Sequence, residues 1–404
     1  MGAEKFDQLS LATTTKQSLL SLAFNFGGIL AGLMVASYSG LFSFEPWIIA
    51  LYPGILSMRG VIGGLFAGHL STGLHLGVIP VSLFGENTKK FYLLWGSIVV
   101  LTFESSLLLG LVALLFGAVF WGISVSGALA IFGTIIAAMG LSLLVISPLT
   151  IALAFSSFKK GLDPDIIVYP IESTVADILI TLCYISVLGM LFFMDVGWFI
   201  LLLICIIFGG VVLTIFWKSR GDVEFSRTVK EALYTMVIVA FIVNITGSIL
   251  SHIGEVVEHN PKIYVVYPAL IDTMGDVGAI VGSTATTKLA LGTIASSLKS
   301  IKNHRNQIAG AWIASIVISA LFAPIVFLYK IPENLFSALR FTSLLLATNI
   351  FAAIFMICIS FSVAILTFRK GLDPDNFVIP IESTLADTIT TISLLTMISL
   401  IGGV

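Results

Sequence analysis

The sequence predicts an all-α integral membrane fold. It has two parallel five-helix repeats joined by one linker transmembrane helix, about 11 spans in all, related by a pseudo-two-fold axis along the membrane normal. Three observations predict it. Of 404 residues, 58% are hydrophobic and 10% charged, with a mean hydropathy of +1.09. Soluble domains run near ~25% charged, so this chain cannot clothe a water-facing surface. Its apolar residues also fall into long continuous runs, and its second half repeats its first.

A helix crossing ~30 Å of hydrocarbon needs ~20 apolar residues. Eleven segments supply them, roughly 17–43, 46–78, 91–121, 126–157, 166–194, 197–217, 230–253, 263–296, 308–329, 338–367 and 377–402. The runs are continuous rather than alternating, which excludes a transmembrane β-barrel. Residues 1–16 read as a cytosolic tail. The Gly-rich apolar segment after them lacks a small-residue cleavage site, so it reads as a retained span and not a signal peptide. Basic residues set the orientation. With the N-terminus cytoplasmic, 15 of the 20 Lys and Arg lie inside, Lys262, Lys330 and Arg340 lie outside, and Arg59 and Lys288 fall within spans. An odd number of spans then makes the C-terminus extracellular, in a multi-pass protein of the cell membrane. The net charge of −2 gives no basic field for nucleic acid; membrane lipid is the implied surroundings. Cys183, Cys205 and Cys358 sit inside apolar runs and read as small hydrophobes, with no thiol chemistry.

The repeat is explicit. Lys160–Asp177, KGLDPDIIVYPIESTVAD, matches Lys370–Asp387, KGLDPDNFVIPIESTLAD, at 14 of 18 positions and an offset of 210. Tyr52–Gly77 matches Tyr267–Gly292 more loosely at an offset of 215, sharing Tyr-Pro, two glycines, Thr, Leu, Leu and Gly. Residues 17–195 thus form repeat one and residues 221–404 repeat two. The segment between them, 196–220, belongs to neither. Five is odd, so one linker span restores the second unit to the orientation of the first, which makes the repeats parallel.

The duplicated motif carries the chemistry. Asp163-Pro164 and Asp373-Pro374 read as helix starts, with Asp as N-cap and Pro in the first turn. Fourteen residues separate Asp163 from Asp177, ~21 Å at 1.5 Å per residue, which puts Asp177 and Asp387 near mid-membrane. A carboxylate there costs at least ~2.5–3.5 kcal/mol, and two of them facing across an axis suit a cation. Ser173 and Thr174, and equally Ser383 and Thr384, lie on the same helix face as the aspartate that follows. Hydroxyls, carbonyls and carboxylates together make a hard-cation environment, for Mg²⁺ or Ca²⁺ rather than Cu or Zn. Glu172 and Glu382 lie five residues toward the inner face, either as an entry ring or as first-turn carboxylates favouring the helix dipole. The second span of each repeat is Gly-rich, which lets helices approach closely. In repeat two that span adds Asp272 and Asp276, where repeat one has Ser57 and Val61. Arg59 is placed to pair with one of these aspartates across the two-fold. Lys288 reads as snorkelling toward the inner face. His69 and His75 do not share a helix face. His252, Glu255 and His259 have a metal-ligand spacing but read as a solvated helix end.

The Asp-Pro-Asp…Pro-x-x-Ser-Thr-x-x-Asp stretch resembles the last helix of the MgtE-type divalent cation transporter domain. Met58-Arg59-Gly60…His69-Leu70-Ser71-Thr72…Leu76-Gly77 resembles the second helix of that domain in solute carrier family 41. The likeness covers both halves. It implies a path for divalent cations in which Asp177 and Asp387 face the central ion. It also implies a tandem chain whose two halves replace the two subunits of an MgtE pore, so that a single chain is sufficient. The family's Gly-Asn in the second helix is replaced here by Gly60-Val61 and Gly275-Asp276. MgtE's cytosolic sensor domains are expected to be absent.

Together these readings give transport of divalent cations with Mg²⁺ as the transported ion, no organic cofactor and no enzymatic step. Asp177, Asp387, Asp276, Asp272, Ser173, Thr174, Ser383, Thr384, Glu172 and Glu382 are the candidate metal residues. The alternatives are a cation-coupled secondary transporter of an organic solute and, more remotely, an intramembrane aspartyl protease.

Overall fold

A computed structural model describes residues 10–28, 44–82, 87–120, 124–237, 261–328 and 335–401, with isolated positions at 30, 34, 38, 41 and 239. The described residues form helices and no strand. Helix α1 is Leu11–Leu22, continued by a 3₁₀ turn at Ala23–Gly27. Then come α2 (Pro46–His75), α3 (Lys89–Phe120), α4 (Val125–Lys159), α5 (Pro164–Phe193) and α6 (Gly197–Ser219). Residues 223–237 are α7. The series ends with α8 (Pro261–Ala290), α9 (Arg305–Leu328), α10 (Leu335–Arg369) and α11 (Val378–Ile401). Among the described residues seven helices, α3–α6 and α9–α11, are long and apolar enough to cross a membrane. The chain is therefore a multi-pass membrane protein. The group His252, Glu255 and His259 lies outside the described residues.

α1 begins at Leu11, six residues before the expected boundary. Ser10 caps it, its Oγ accepting from the Thr13 N–H at 3.2 Å. The helix runs back into polar sequence because Thr14, Gln17, Ser18 and Ser21 are buried against protein rather than solvated. Gly310 of α9 makes room for it: a Cβ there would stand 2.6 Å from the Thr14 methyl.

Both Asp-Pro starts form as expected. The Asp163 carboxylate accepts from the Asp165 N–H at 3.1 Å, and Asp373 accepts from Asp375 at 3.2 Å. Before each, the chain turns on a glycine with positive φ, Gly161 at 73° and Gly371 at 72°, a conformation that side chains resist. The first helix of each half braces the same backbone group. The Asp163 N–H donates to Gln17 Oε1 (2.8 Å), and the Asp373 N–H donates to Glu231 Oε2 (3.0 Å). The two starts then differ. α5 proceeds directly, whereas Pro374–Asn376 make a separate 3₁₀ turn before α11. Asn376 is drawn aside, its side chain donating to Glu231 and its carbonyl accepting from the Thr235 hydroxyl.

α2, α5, α8 and α11 form the centre. α2 packs on α5 and α8 on α11 within their halves; α5 packs on α8, and α2 on α11, between them. The first helices reach across: α1 packs on α9, and Phe225 of α7 lies 4.0 Å from where a Cβ on Gly96 of α3 would stand. Lys89–Asp222 (2.7 Å) and Lys90–Glu224 (2.6 Å) join α3 to the segment that starts α7. α6 lies at the periphery against α3, α4 and α5, with Trp198, Phe199, Leu202 and Ile206 exposed as a lipid-facing surface requires.

Candidate cation site

Asp177 is the fourteenth of the 30 residues of α5, near mid-helix. It and Asp387 of α11 are half-buried, and the order of buried and half-buried positions is identical over 172–180 and 382–390. Asp272 of α8 lies within charge–charge range of both Asp177 and Asp387. One turn on, Asp276 is buried and within range of Asp177 and Glu382. The four aspartates singled out in the sequence thus share one electrostatic field, assembled from three helices.

Ser173 and Ser383 spend their protons on the carbonyls of Pro170 (3.1 Å) and Pro380 (3.2 Å). Thr384 does the same at 2.9 Å, and the single proton of Thr174 is shared between the Pro170 carbonyl (3.2 Å) and Asn25 Oδ1. Their oxygens keep lone pairs, and Ser173 and Ser383 are half-buried beside the aspartates.

Asn25 was not singled out from the sequence. It is fully buried, donates to Asp276 Oδ2 (2.7 Å) and Thr273 Oγ1 (3.3 Å), and accepts from the Thr174 hydroxyl (3.3 Å). One side chain of the 3₁₀ turn after α1 therefore ties α5 to α8. The only signal was a lone amide inside an apolar, Gly-rich run. Tyr169, buried on α5, was also missed; it lies within charge range of Glu382, Asp276, Glu172 and Asp177.

Arg59 does not pair with Asp272 or Asp276 across the two-fold. It forms an ion pair with Glu172 of its own half, and both side chains are buried, at 4% and 0% exposure. α2 presents Arg59 to α5 because Gly63 lets Glu172 lie against the backbone; a Cβ there would stand 2.5 Å from both carboxylate oxygens. Gly278 seats Glu382 in the same way, a Cβ there meeting its Cγ at 2.6 Å. Glu382 is equally buried, but Met274 stands where Arg59 would be, and no ion pair to it is formed among the described residues.

A second group lies at the Asp-Pro end. His75 Nε2 is 3.7 Å from Asp163 Oδ1, and His75 Nδ1 is 4.0 Å from Asp165 Oδ2. These three residues offer ligand atoms within 4.8 Å of one another, all buried. His69 Nε2 faces Asp373 Oδ2 at 3.5 Å. The histidines point to different partners because, six residues apart, they leave α2 on different faces. Lys288 does not snorkel to solvent: it is 7% exposed and lines a small cavity with His75, Asp163 and Asp165.

The sequence model of the family described as MgtE, divalent cation transporter, matches residues 52–187 and 267–397. Solute carrier family 41 member 3 of Rattus norvegicus is 24% identical over 409 residues, covering 94% of this chain and 86% of that protein. Solute carrier family 41 member 2 of Mus musculus is 23% identical over 389 residues, covering 91% and 66%. A crystal structure of MATE in the straight conformation aligns over 99% of each chain at 12% identity and a TM-score of 0.43, below the level at which a shared fold follows. The family match alone takes in two stretches that together exceed half the sequence, and it falls once on each half: the chain belongs to the MgtE family of divalent cation transporters.

Proposed function

We propose that the chain carries Mg²⁺ through a path between its two halves, with the ion held largely hydrated between Asp177 and Asp387. What supports this reading is one observation: both aspartates lie mid-helix within charge range of Asp272. Arg59, the basic residue of that region, is committed to Glu172. Carboxylates gathered away from water need a counter-cation, and Mg²⁺ keeps several of its waters and binds through one or two carboxylates. Asp276, Ser173 and Ser383 add oxygen to the same region, and Thr174 and Thr384 bond back to the carbonyls of Pro170 and Pro380 beneath it. Glu172 and Glu382 sit inward of the aspartates along the path.

In the same reading, residues 17–195 and 221–404 are parallel repeats, 196–220 is the linker span, and eleven spans put the N-terminus in the cytosol and the C-terminus outside. One chain makes one path. Uptake of ²⁸Mg²⁺ or Mn²⁺ into proteoliposomes tests the site. Asp177→Asn and Asp387→Asn should each cut flux sharply in folded protein, and normal flux in the double variant removes the paired-aspartate site.

A further inference from the structure

Two cavities flank α2 and α8 at the Asp-Pro end, and seven lining positions of the smaller recur in the larger, which is also lined by Lys90 and Arg227, each already in an ion pair, with Glu224 and Glu231. One has a volume of about 360 Å³ and is lined by Asp373 and Asp375, with His69, Thr72 and Gly73 from α2 and Leu76 just after it. The other has a volume of about 10 Å³ and is lined by Asp163 and Asp165, with Thr284, Thr287 and Lys288 from α8 and Leu291 just after it. The aspartates are related by the offset of 210 and the helix positions by 215. Thr72 and Thr287, equivalent residues, meet each other with hydroxyl oxygens 3.4 Å apart. His75 lines the small cavity, and its counterpart Ala290 lines the large one. The difference in volume comes from the side chains. Lys288 and His75 fill one cavity, where Gly73 and Ala290 leave the other open.

We infer that Lys288 is a built-in cation: its ammonium fills one of two equivalent cation sites, so that only the site beside Asp373 and Asp375 exchanges divalent ions with solution. Three observations carry this. Lys288 acts electrostatically on Asp163. His75, Asp163 and Asp165 already offer ligand atoms within 4.8 Å of one another, a span a metal ion can bridge. Asp165, 2% exposed, is faced by the Ser71 and Thr287 hydroxyls, and its Oδ1 has no hydrogen-bond partner among the described residues. Size separates the two cavities as well. A hexahydrated ion carries six waters of ~30 Å³ each, on the order of 180 Å³. The open cavity admits that, and the closed one has room for about one water. An amine at the closed site supplies positive charge without dehydrating an ion, and makes the two halves of a duplicated transporter unequal at this face.

The inference rests on the chain being a divalent cation carrier, and its test counts bound ions instead of flux. Mn²⁺ is titrated into purified protein and bound ions per chain are counted by electron paramagnetic resonance. Lys288→Ala should bind one more Mn²⁺ than the native chain. Lys288→Met, which keeps the bulk and removes the charge, should raise affinity at the same site and stands in should the alanine variant not fold. Lys288→Arg should add no ion. Adding Asp165→Asn to Lys288→Ala should return the count to the native value, and Asp373→Asn with Asp375→Asn in the native chain should lower it by one. The idea is overturned by a folded Lys288→Ala or Lys288→Met protein with an unchanged count and affinity. An extra ion that survives Asp165→Asn also overturns it. Loss of flux in Asp177→Asn alongside an unchanged count in Lys288→Ala would sink this inference alone. Native protein that takes up no Mn²⁺ would remove the transport reading with it.

Discussion

Glu172 and Glu382 stand 210 residues apart in the repeat and are both fully buried, yet they should respond oppositely to the same substitution. Glu172→Gln leaves the Arg59 guanidinium, itself 4% exposed, without its partner. Breaking a buried pair from one side costs about 3–5 kcal/mol. Asp177 also lies within charge range of Arg59, so the loss should fall at the lower end, ~3 kcal/mol, a shift of roughly 150-fold in the unfolding equilibrium at ~1.4 kcal/mol per tenfold. Glu382→Gln loses no such attraction, because Met274 occupies the cation's place, and it relieves repulsion from Asp276. Its effect should lie within about 0.5 kcal/mol of zero or be stabilising, as for substitutions that break no pairing. Reversible unfolding in mixed micelles, followed by helical circular dichroism, measures both. The double change Arg59→Met with Glu172→Gln should recover most of the loss, since replacing both partners removes the buried charge. Equal losses at 172 and 382, or no recovery in the double variant, would refute the argument.

Asn25→Leu should cost about 1.5–3 kcal/mol in the same assay, because it removes a hydrogen bond to a charged group; a loss below 0.5 kcal/mol on that scale would mean water replaces the amide. Gly63→Ala should cost about 1–3 kcal/mol by overpacking, since the new methyl would stand 2.5 Å from both Glu172 oxygens. It should cost less once Glu172 is shortened to Asp. Asp373 lies outside the spanning helices. Burial alone would raise its carboxyl, but facing His69 it is held down at about 2. A carboxyl depressed in the folded state contributes stability above its unfolded value of ~3.9 and gives it up as pH falls through the folded one. Native and Asp373→Asn stability curves should therefore differ above pH ~4 and converge toward pH ~2.

The helices and the place of each aspartate along its helix were legible because both follow from one-dimensional quantities: apolar run length, and residues counted from a proline-marked start. What composition cannot tell is buried polar sequence from solvated polar sequence, and so the start of α1 was misplaced, with buried Thr14 assigned to a tail. Position along a helix also says nothing about azimuth. From the sequence Arg59 had Asp272 and Asp276 as candidate partners, and the close approach at Gly63 decides for Glu172. His75 was discounted because it shares no face with His69. Its partners, Asp163 and Asp165, come from a different helix, and that pairing has no period in the sequence.

The seating of α1 on α9 bears on how the protein is made. Thr14, Gln17, Ser18, Ser21 and Asn25 are all at most 4% exposed in the finished molecule, yet α9 ends at Leu328, 306 residues after Leu22. At ~5–20 residues per second, a ribosome needs on the order of 15–60 s to supply it. For that time α1 and the 3₁₀ turn after it hold five polar side chains with part of their final surroundings unwritten, Thr273 and Asp276 among them. It must wait at the membrane surface, in the insertion machinery, or against temporary neighbours. A nascent chain arrested after α6 should therefore leave α1 open to an impermeant cysteine reagent at position 18, and one arrested after α11 should not.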